Sequence, residues 1–151
     1  MAAEPSPTIH ASAVLIGARA AVIRGAPGAG KSQLALALIE AAATGLLPFA
    51  RLVADDRTIL EVAHGRLLVR PAASLAGLME IRGLGIRRLP FEPVALVGIV
   101  VDLAATDANR LPTPAEREVV LAGVALPRLA VAPGSDALRL VIAALRTSEC
   151  R

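Results

Sequence analysis

The chain contains very few residues of several types, and each shortage excludes a class of structure. Its 151 residues include one cysteine, Cys150, which excludes an internal disulfide and a cysteine-based metal site. It has no tryptophan, no tyrosine and two phenylalanines, too few to stack on the bases of a nucleic acid. The longest apolar stretches, near residues 94–101 and 138–145, are interrupted or shorter than the roughly 20 residues of a membrane helix. We therefore expect a globular protein with no nucleic acid and no membrane among its partners.

The remaining composition is typical of one globular domain. Hydrophobic residues make up 55% of the chain and charged residues 19%, which is enough apolar material for one core at this length. We expect a flexible N-terminus at residues 1–8, one domain at residues 9–148 and a tail at residues 149–151. The N-terminus has neither a cationic start nor an apolar segment, so it is not a secretory signal and a cytoplasmic location is expected.

Lysine is also scarce, because Lys31 is the single lysine beside fifteen arginines. A codon bias would produce the same scarcity, but this lysine lies within a complete G-x-x-x-x-G-K-S phosphate-binding loop. The loop consists of Gly25, Ala26, Pro27, Gly28, Ala29, Gly30, Lys31 and Ser32. In such a loop the backbone N–H groups surround a polyphosphate, the lysine reaches the β- and γ-phosphates, and the serine hydroxyl contacts Mg²⁺. The sequence therefore predicts a site for a nucleoside triphosphate, taken to be ATP, with Mg²⁺.

The flanking pattern predicts a strand before this loop and a helix after it. A hairpin of residues 12–16 and 20–24 is expected to lead into the loop, and residues 33–40 are rich in strong helix formers. Further strands are predicted at residues 51–54, 58–62, 66–70, 96–102, 117–121 and 129–131, with a small helix near residues 72–77. An N-cap at Ser135 and Asp136 begins a closing helix that ends near Arg146. We therefore predict an α/β fold, a mixed sheet with the phosphate loop at one end.

Phosphoryl transfer needs a base for the incoming hydroxyl and a further carboxylate for the metal. Asp55 and Asp56 follow a predicted buried strand, and Glu80 lies further along the chain. An acidic turn at a strand end is the alternative interpretation of the aspartates. A solvated pair of Glu80 with Arg82 is the alternative for the glutamate.

Two segments resemble the C-terminal kinase domain of the HPr kinase/phosphorylase family. They are Leu-Val-Ala-Asp-Asp at residues 52–56 and Met-Glu-Ile-Arg-Gly-Leu-Gly-Ile at residues 79–86. That family modifies a serine of HPr, the small phosphocarrier protein of the sugar phosphotransferase system. The resemblance extends from His10 through the closing helix. It implies a P-loop fold of the type shared with phosphoenolpyruvate carboxykinase, in a short form without the family's N-terminal domain.

The resemblance implies a role for individual residues. Asp56 matches the general base toward the serine hydroxyl, and Asp55 beside it would help to hold the metal. Glu80 matches a magnesium ligand that pairs with Ser32. His10 matches an active-site histidine, and an ordinary surface or capping histidine is the alternative.

Arg110 resembles the catalytic arginine of the family, although the residues between 86 and 94 are shortened relative to the family pattern. A loop cation without a catalytic role is the alternative. Residues 130–136, which precede the final helix, carry no cation where the family has basic residues tied to the reverse reaction, phosphorolysis. We therefore expect kinase activity to dominate over phosphorolysis.

The resemblance also implies HPr as the protein partner and a homo-oligomer, a hexamer in this family. We expect an ATP- and Mg²⁺-dependent protein serine kinase. A kinase of the same architecture that acts on a small metabolite is one alternative. The other is a non-catalytic module that senses ATP and regulates a partner.

Overall fold

A computed structural model describes residues 6–148 of the chain. The predicted tail, with Cys150, and residues 1–5 of the predicted flexible N-terminus lie outside this part. Within residues 6–148 the α-helices and strands are α1 (Lys31–Ala43), α2 (Ala137–Arg146), β1 (Thr8–Ile9), β2 (Ala11–Ile16), β3 (Arg19–Arg24), β4 (Ala50–Ala54), β5 (Thr58–Ala63), β6 (Arg66–Pro71), β7 (Leu78–Ile81), β8 (Gly85–Arg88), β9 (Ala95–Asp102), β10 (Glu118–Leu121) and β11 (Val124–Ala130). Short 3-10 helices cover Ala73–Leu75 and Pro114–Arg117. The predicted domain boundary at residue 9 falls inside β1.

The hairpin of β2 and β3 leads directly into the phosphate loop, as predicted. The strands pair antiparallel with Ala11 opposite Arg24. Gly17 closes the turn with φ 63, a left-handed conformation that glycine adopts without strain. After β3 the chain passes through the loop and enters α1 at Lys31. The predicted order of strand, loop and helix is therefore confirmed.

The main sheet is mixed, which confirms the predicted class. Its strands lie in the order β1-β5-β6-β9-β3-β2-β4, and β11 joins it through β9. β9 runs parallel to β3 along one edge, while its other edge pairs first with β6 and then, at Val100–Asp102, with β11. β3, β9 and β11 are mutually parallel, so their carboxyl ends meet at one edge of the sheet. In open α/β sheets this edge is where ligands bind.

Two apolar clusters cover the two faces of the sheet. Val22 of β3 and Val100 of β9 point into one cluster, and their neighbours Ile23 and Val101 point into the other. This alternation is the geometry of a strand that is buried on both faces. The cluster of Ile23 includes α1 and α2, whereas the sheet curls so that β5, β6, β10 and β11 share the cluster of Val22. The core thus holds β3, and with it the start of the phosphate loop, from both sides.

The closing helix α2 begins and ends close to the predicted positions. The carboxylate of Asp136 accepts a hydrogen bond of 3.1 Å from the backbone N–H of Arg139, which is an N-cap. Val141 is fully buried in the cluster that α2 shares with α1. Neither α1 nor α2, nor any other helix in residues 6–148, is long and apolar enough to cross a membrane.

A separate antiparallel hairpin of β7 and β8 was not predicted from the sequence. It pairs Leu78–Ile81 with Gly85–Arg88, so that Glu80 lies opposite Ile86. Met79 is buried and Ile81 packs against the same cluster as α1. Because side chains alternate along a strand, Glu80 between them is turned away from the core and is exposed. The hairpin therefore presents the carboxylate of Glu80 beside the start of α1.

Candidate active site

The phosphate loop is closed tightly at its first glycine. A Cβ atom on Gly25 would lie 2.9 Å from the Cβ of Ala29 and 3.3 Å from the Cβ of Leu103. Gly28 and Gly30 have φ values of 84 and 100, in the left-handed region that favours glycine. The three glycines therefore let the backbone turn within a small radius, as a loop that surrounds a phosphate must.

Lys31 lies across the loop that contains it. Its Nζ donates hydrogen bonds of 2.8 Å to the carbonyl of Gly25 and 3.3 Å to the carbonyl of Ala26. Both acceptors are neutral, so these bonds leave the positive charge of the ammonium uncompensated. An anion at the loop would bring that charge an oppositely charged partner.

Asp55 is held by two serine hydroxyls from different elements. Ser12 Oγ of β2 and Ser32 Oγ at the start of α1 each donate a hydrogen bond of 2.7 Å to Asp55 Oδ1. Asp55 is buried, with 8% of its surface exposed, and Ser12 is fully buried. The carboxylate therefore fixes the orientation of the Ser32 hydroxyl. Because the proton of Ser32 points to Asp55, the lone pairs of its oxygen are free for another partner.

Asp56 has a different environment from its neighbour. It is exposed and has φ 63, a left-handed conformation that is uncommon for a non-glycine residue. Its carbonyl accepts a hydrogen bond of 3.1 Å from the N–H of Ala11. His10, the residue before Ala11, is exposed in the bend between β1 and β2. The backbone of His10 thus lies close to that of Asp56. The His10 side chain does not line the cavity that contains Lys31 and Asp56.

One cavity of about 280 Å³, here called the phosphate cavity, unites most of the predicted site residues. It is lined by Pro27, Gly28, Gly30, Lys31, Ser32, Gln33, Asp56, Glu80 and Arg82. The phosphate loop forms one wall, Asp56 follows β4, and Glu80 and Arg82 come from the β7–β8 hairpin. Segments that are far apart in the sequence therefore bring an ammonium, a hydroxyl and two carboxylates to one space.

The donor set of this cavity fits Mg²⁺ that is bound together with a phosphate. Mg²⁺ is usually held by one or two carboxylates and by substrate phosphates, and it keeps several waters. Within residues 6–148, no group of three His, Cys, Asp or Glu side chains is placed to hold a metal ion. Ser32 and Glu80 supply the incomplete set that a metal shared with a phosphate requires.

Comparison with known proteins identifies the family. The chain matches the HPr Serine kinase C-terminal domain over residues 2–149. The chain belongs to this family. This membership of the HPr serine kinase family confirms the resemblance seen in the sequence.

A solved structure confirms the fold of this HPr serine kinase family member. The structure of the Hpr(Ser) kinase/phosphatase from Coxiella burnetii is similar, with a TM-score of 0.75 and 24% sequence identity. The match covers 93% of this chain and 88% of that chain. No curated protein sequence matches the chain. Since the identity to the solved structure is low, that likeness shows the shared architecture alone.

In this HPr serine kinase family member, Arg110 is not among the residues that line the phosphate cavity. It is exposed in the loop between β9 and β10. Nearby, Asn109 Nδ2 donates a hydrogen bond of 2.8 Å to Glu116 Oε1, and Thr113 forms a capping box with Glu116. The structure thus brings Lys31, Ser32, Asp56 and Glu80 together but not Arg110, whose catalytic role stays a prediction.

A network of charges beside the loop was not predicted from the sequence. Asp102, at the end of β9, accepts hydrogen bonds from Arg24 Nε at 2.7 Å, Arg24 Nη2 at 2.9 Å and Arg128 Nε at 2.6 Å. Arg128 also pairs with Asp107, which lowers the pKa of Asp107 and raises that of Arg128. Burial raises the pKa of Asp102, but the hydrogen bonds and charges of Arg24 and Arg128 outweigh it and hold the pKa below its ordinary value. The one sequence feature that could have indicated this network is the position of Asp102 at the end of a buried strand.

Proposed function

We propose that this chain is an ATP- and Mg²⁺-dependent protein serine kinase that phosphorylates HPr. The observation that supports this most directly is the phosphate cavity, where Lys31, Ser32, Asp56 and Glu80 converge. Membership of the HPr serine kinase family makes a serine of HPr the favoured acceptor. The residues of the cavity supply a phosphate-binding cation, two potential metal ligands and a free carboxylate, which are the groups that phosphoryl transfer needs.

The two adjacent aspartates have different roles in this proposal. Asp55 is buried and its Oδ1 accepts hydrogen bonds from two serine hydroxyls, so its role is to orient the hydroxyl of Ser32. Asp56 is exposed on the cavity, so its carboxylate accepts the proton of the incoming serine hydroxyl. As that oxygen bonds to the γ-phosphorus, the bond from the phosphorus to the leaving diphosphate breaks.

The charge of the transferred group is balanced by residues of the loop and the hairpin. Lys31 exchanges its carbonyl partners for phosphate oxygens, and the loop N–H groups hold the β-phosphate. Ser32 and Glu80 would hold Mg²⁺, which supplies positive charge to the β- and γ-phosphate oxygens when it is bound. Arg110, which the family resemblance assigns as the catalytic arginine, would supply a further cation to the transferred phosphoryl group.

The segment before α2 favours transfer in the forward direction. Residues 130–136 contain no cation, and the carboxylate of Asp136 caps α2. Inorganic phosphate, the attacking group of phosphorolysis, therefore meets little positive potential there. We expect net kinase activity at physiological phosphate, and ready dephosphorylation of phosphoserine-HPr would contradict this.

A cytoplasmic homo-oligomer, a hexamer as the family resemblance implies, completes the proposal. Leu84 and Ile86 of the β7–β8 hairpin are 60% and 72% exposed, and such apolar side chains are suited to burial in a protein contact. Sedimentation analysis of the purified chain would measure the oligomeric state directly.

The deciding experiment is transfer of label from γ-labelled ATP with Mg²⁺ to HPr of the same organism. We expect Asp56→Asn to lower the rate about 10²- to 10⁴-fold, the usual contribution of a general base. Asparagine tolerates the left-handed backbone at this position, so the variant should fold. Lys31→Ala should also abolish labelling. Asp107→Asn removes a carboxylate outside the cavity and is the matched control, with activity retained.

The outcomes separate the possible functions. Serine labelling that is lost in Lys31→Ala and Asp56→Asn, and kept in Asp107→Asn, supports the kinase and its base. Wild-type rates in Asp56→Asn would refute the role of this carboxylate. ATP binding without transfer to HPr would favour a small-metabolite kinase or the ATP-sensing module.

A further inference from the structure

The β7–β8 hairpin, which carries Glu80, is attached to β4 by the segment that follows β8. Phe91 in this segment forms a parallel bridge with Leu52 of β4, and the N–H of Glu92 donates a hydrogen bond of 2.8 Å to the carbonyl of Leu52. Arg51 Nη1 donates a further hydrogen bond of 3.0 Å to Glu92 Oε1. Leu52 itself is fully buried. The chain that leaves the hairpin is therefore held by the strand that leads into the aspartate pair.

The ring of Phe91 also covers the chain that enters the hairpin. A Cβ atom on Gly77, the residue before β7, would lie 2.8 Å from Phe91 Cδ1 and 3.2 Å from the carbonyl oxygen of Leu89. The N–H of Leu89 donates a hydrogen bond of 2.8 Å to the carbonyl of Gly77. Gly77 has φ 74, a left-handed conformation that glycine adopts without strain. We call Gly77, Leu89 and Phe91 the hairpin base, because they join the two ends of the hairpin.

Glu80 depends on the backbone of β7 for its position. Within residues 6–148 its carboxylate forms no hydrogen bond or ion pair that would hold it in place. Met79 and Ile81 pack against the cluster of α1, which decides the face of the hairpin that Glu80 occupies. Two residues separate Glu80 from Gly77, so a shift of the hairpin base is passed on to the carboxylate. In an active site a misplacement of about 1 Å can cost about a hundredfold in rate.

We propose that Phe91 is a positioning residue: its contact with Gly77 holds Glu80 in place in the phosphate cavity. Phe91 also pairs with β4, and β4 continues into the two aspartates. The hairpin and the aspartates are thus placed from one strand, so the hairpin base sets the separation between the proposed metal ligand and the proposed base. This inference rests on the proposed function, which assigns Glu80 to the metal.

The test measures how much Mg²⁺ adds to phosphate binding, because that gain depends on Glu80. The probe is inorganic tripolyphosphate, which has the phosphates of ATP but no nucleoside, titrated by calorimetry with and without excess Mg²⁺. The ratio of the two affinities is here called the metal gain. Lys31 and the loop N–H groups bind the phosphates in both titrations, so the metal gain separates the hairpin from the loop.

Two variants disturb the hairpin base in different ways. Gly77→Ala places a methyl group against the ring, and Phe91→Ala removes the ring, which belongs to a residue that is 36% exposed, so this second variant should fold. Gly65→Ala is the matched control, because Gly65 has φ 73 but no atom lies within 4 Å of an added Cβ. It carries the same backbone strain in the turn between β5 and β6, outside the phosphate cavity. Urea denaturation checks that each variant is folded.

We expect Gly77→Ala and Phe91→Ala to lower the metal gain about tenfold, at the low end of the range for residues that orient a metal ligand. Tripolyphosphate affinity without Mg²⁺ should change less than about twofold, because the loop is untouched. Gly65→Ala should change neither quantity. When Glu80→Gln is already present, Phe91→Ala should lower the metal gain no further, because the group that Phe91 positions is gone.

Three results would overturn the inference. They are an unchanged metal gain in both variants, an equal loss of affinity with and without Mg²⁺, and a loss from Phe91→Ala that persists when Glu80→Gln is present. The last two are the results of a purely structural role.

The same titrations keep this inference separate from the proposed function. If Glu80→Gln lowers the metal gain but neither variant of the hairpin base does, only the role of Phe91 fails. If every variant behaves as expected but the wild-type chain labels no HPr, only the kinase assignment fails.

Discussion

The change Asp102→Asn tests how strongly the ends of the three parallel strands are held together. Asp102 of β9 joins Arg24 of β3 to Arg128 of β11 through three hydrogen bonds between 2.6 and 2.9 Å. Arg24 is the residue directly before the phosphate loop. Asparagine keeps the shape of the side chain but removes the charge, and its amide group turns two donors toward guanidinium groups that are themselves donors.

The size of the effect follows from burial. The side chains of Asp102 and Arg128 are 14% and 13% exposed, and that of Arg24 is 31% exposed. Loss of one partner of a fully buried pair costs about 3–5 kcal/mol, and this pair is partly open to water, so we expect about 2.5 kcal/mol. At about 3 °C per kcal/mol for a chain of this length, the melting temperature should fall by about 8 °C.

The dependence on pH adds a second signature. The pKa of Asp102 in the folded state lies below its ordinary value of 3.8. The contribution of the carboxylate to stability is therefore present above that value and is lost as the pH falls through the folded-state pKa. The difference between the wild-type chain and Asp102→Asn should be full at pH 7 and should shrink below about pH 4.

Urea denaturation of both proteins at pH 7 and at pH 3 measures these differences. Asp107→Asn is the matched control, because Asp107 is the other carboxylate partner of Arg128 but its side chain is 53% exposed. Its stability should stay close to that of the wild-type chain. A loss for Asp102→Asn below about 1 kcal/mol at pH 7, the value typical of a surface pair, would refute the reasoning.

Three further changes probe the site itself. Gly25→Ala would place a Cβ 2.9 Å from that of Ala29, so it should weaken tripolyphosphate binding by more than about tenfold in calorimetry; unchanged affinity would show that the loop can widen. Ser12→Ala removes one buried donor to Asp55 and should lower the free energy of unfolding in urea by about 1–2 kcal/mol, and no change would argue against a structural role for this hydroxyl. Glu80→Gln should raise the Mg²⁺ concentration needed for half-maximal transfer to HPr while metal-free tripolyphosphate binding stays the same; an unaltered Mg²⁺ requirement would remove Glu80 from the metal site.

The parts of the fold that were predictable are those with a local signal. The hairpin of β2 and β3, the phosphate loop, α1 and the cap of α2 at Asp136 each follow from periodicity or from turn and capping residues within one short segment. The hairpin of β7 and β8 lacked such a signal, because its strands are short and β8 is exposed throughout. It depends on Met79, whose burial is decided by contact with α1, a tertiary effect.

The site was predictable to the extent that its residues belong to motifs. Lys31, Ser32 and the aspartate pair could be named from spacing and resemblance, and the structure brings Asp56 and Glu80 to the loop. The link from Asp102 to its two arginines could not be named. It requires β3, β9 and β11 to be neighbours, and long connections separate these strands in the sequence.

The pair of aspartates shows why residue type alone does not assign a role. Strand β4 ends at Ala54, and Asp55 directly after it is buried, where its Oδ1 accepts hydrogen bonds from the hydroxyls of Ser12 and Ser32. The positive φ of Asp56 then turns the chain, which leaves this second carboxylate exposed on the phosphate cavity. A single backbone reversal therefore separates a buried carboxylate that holds the hydroxyl of Ser32, the proposed metal ligand, from an exposed carboxylate on the phosphate cavity, the proposed base. Strand β2 of the hairpin before the loop contacts both aspartates. It supplies Ser12, which bonds to Asp55, and the N–H of Ala11 donates a hydrogen bond to the carbonyl of Asp56.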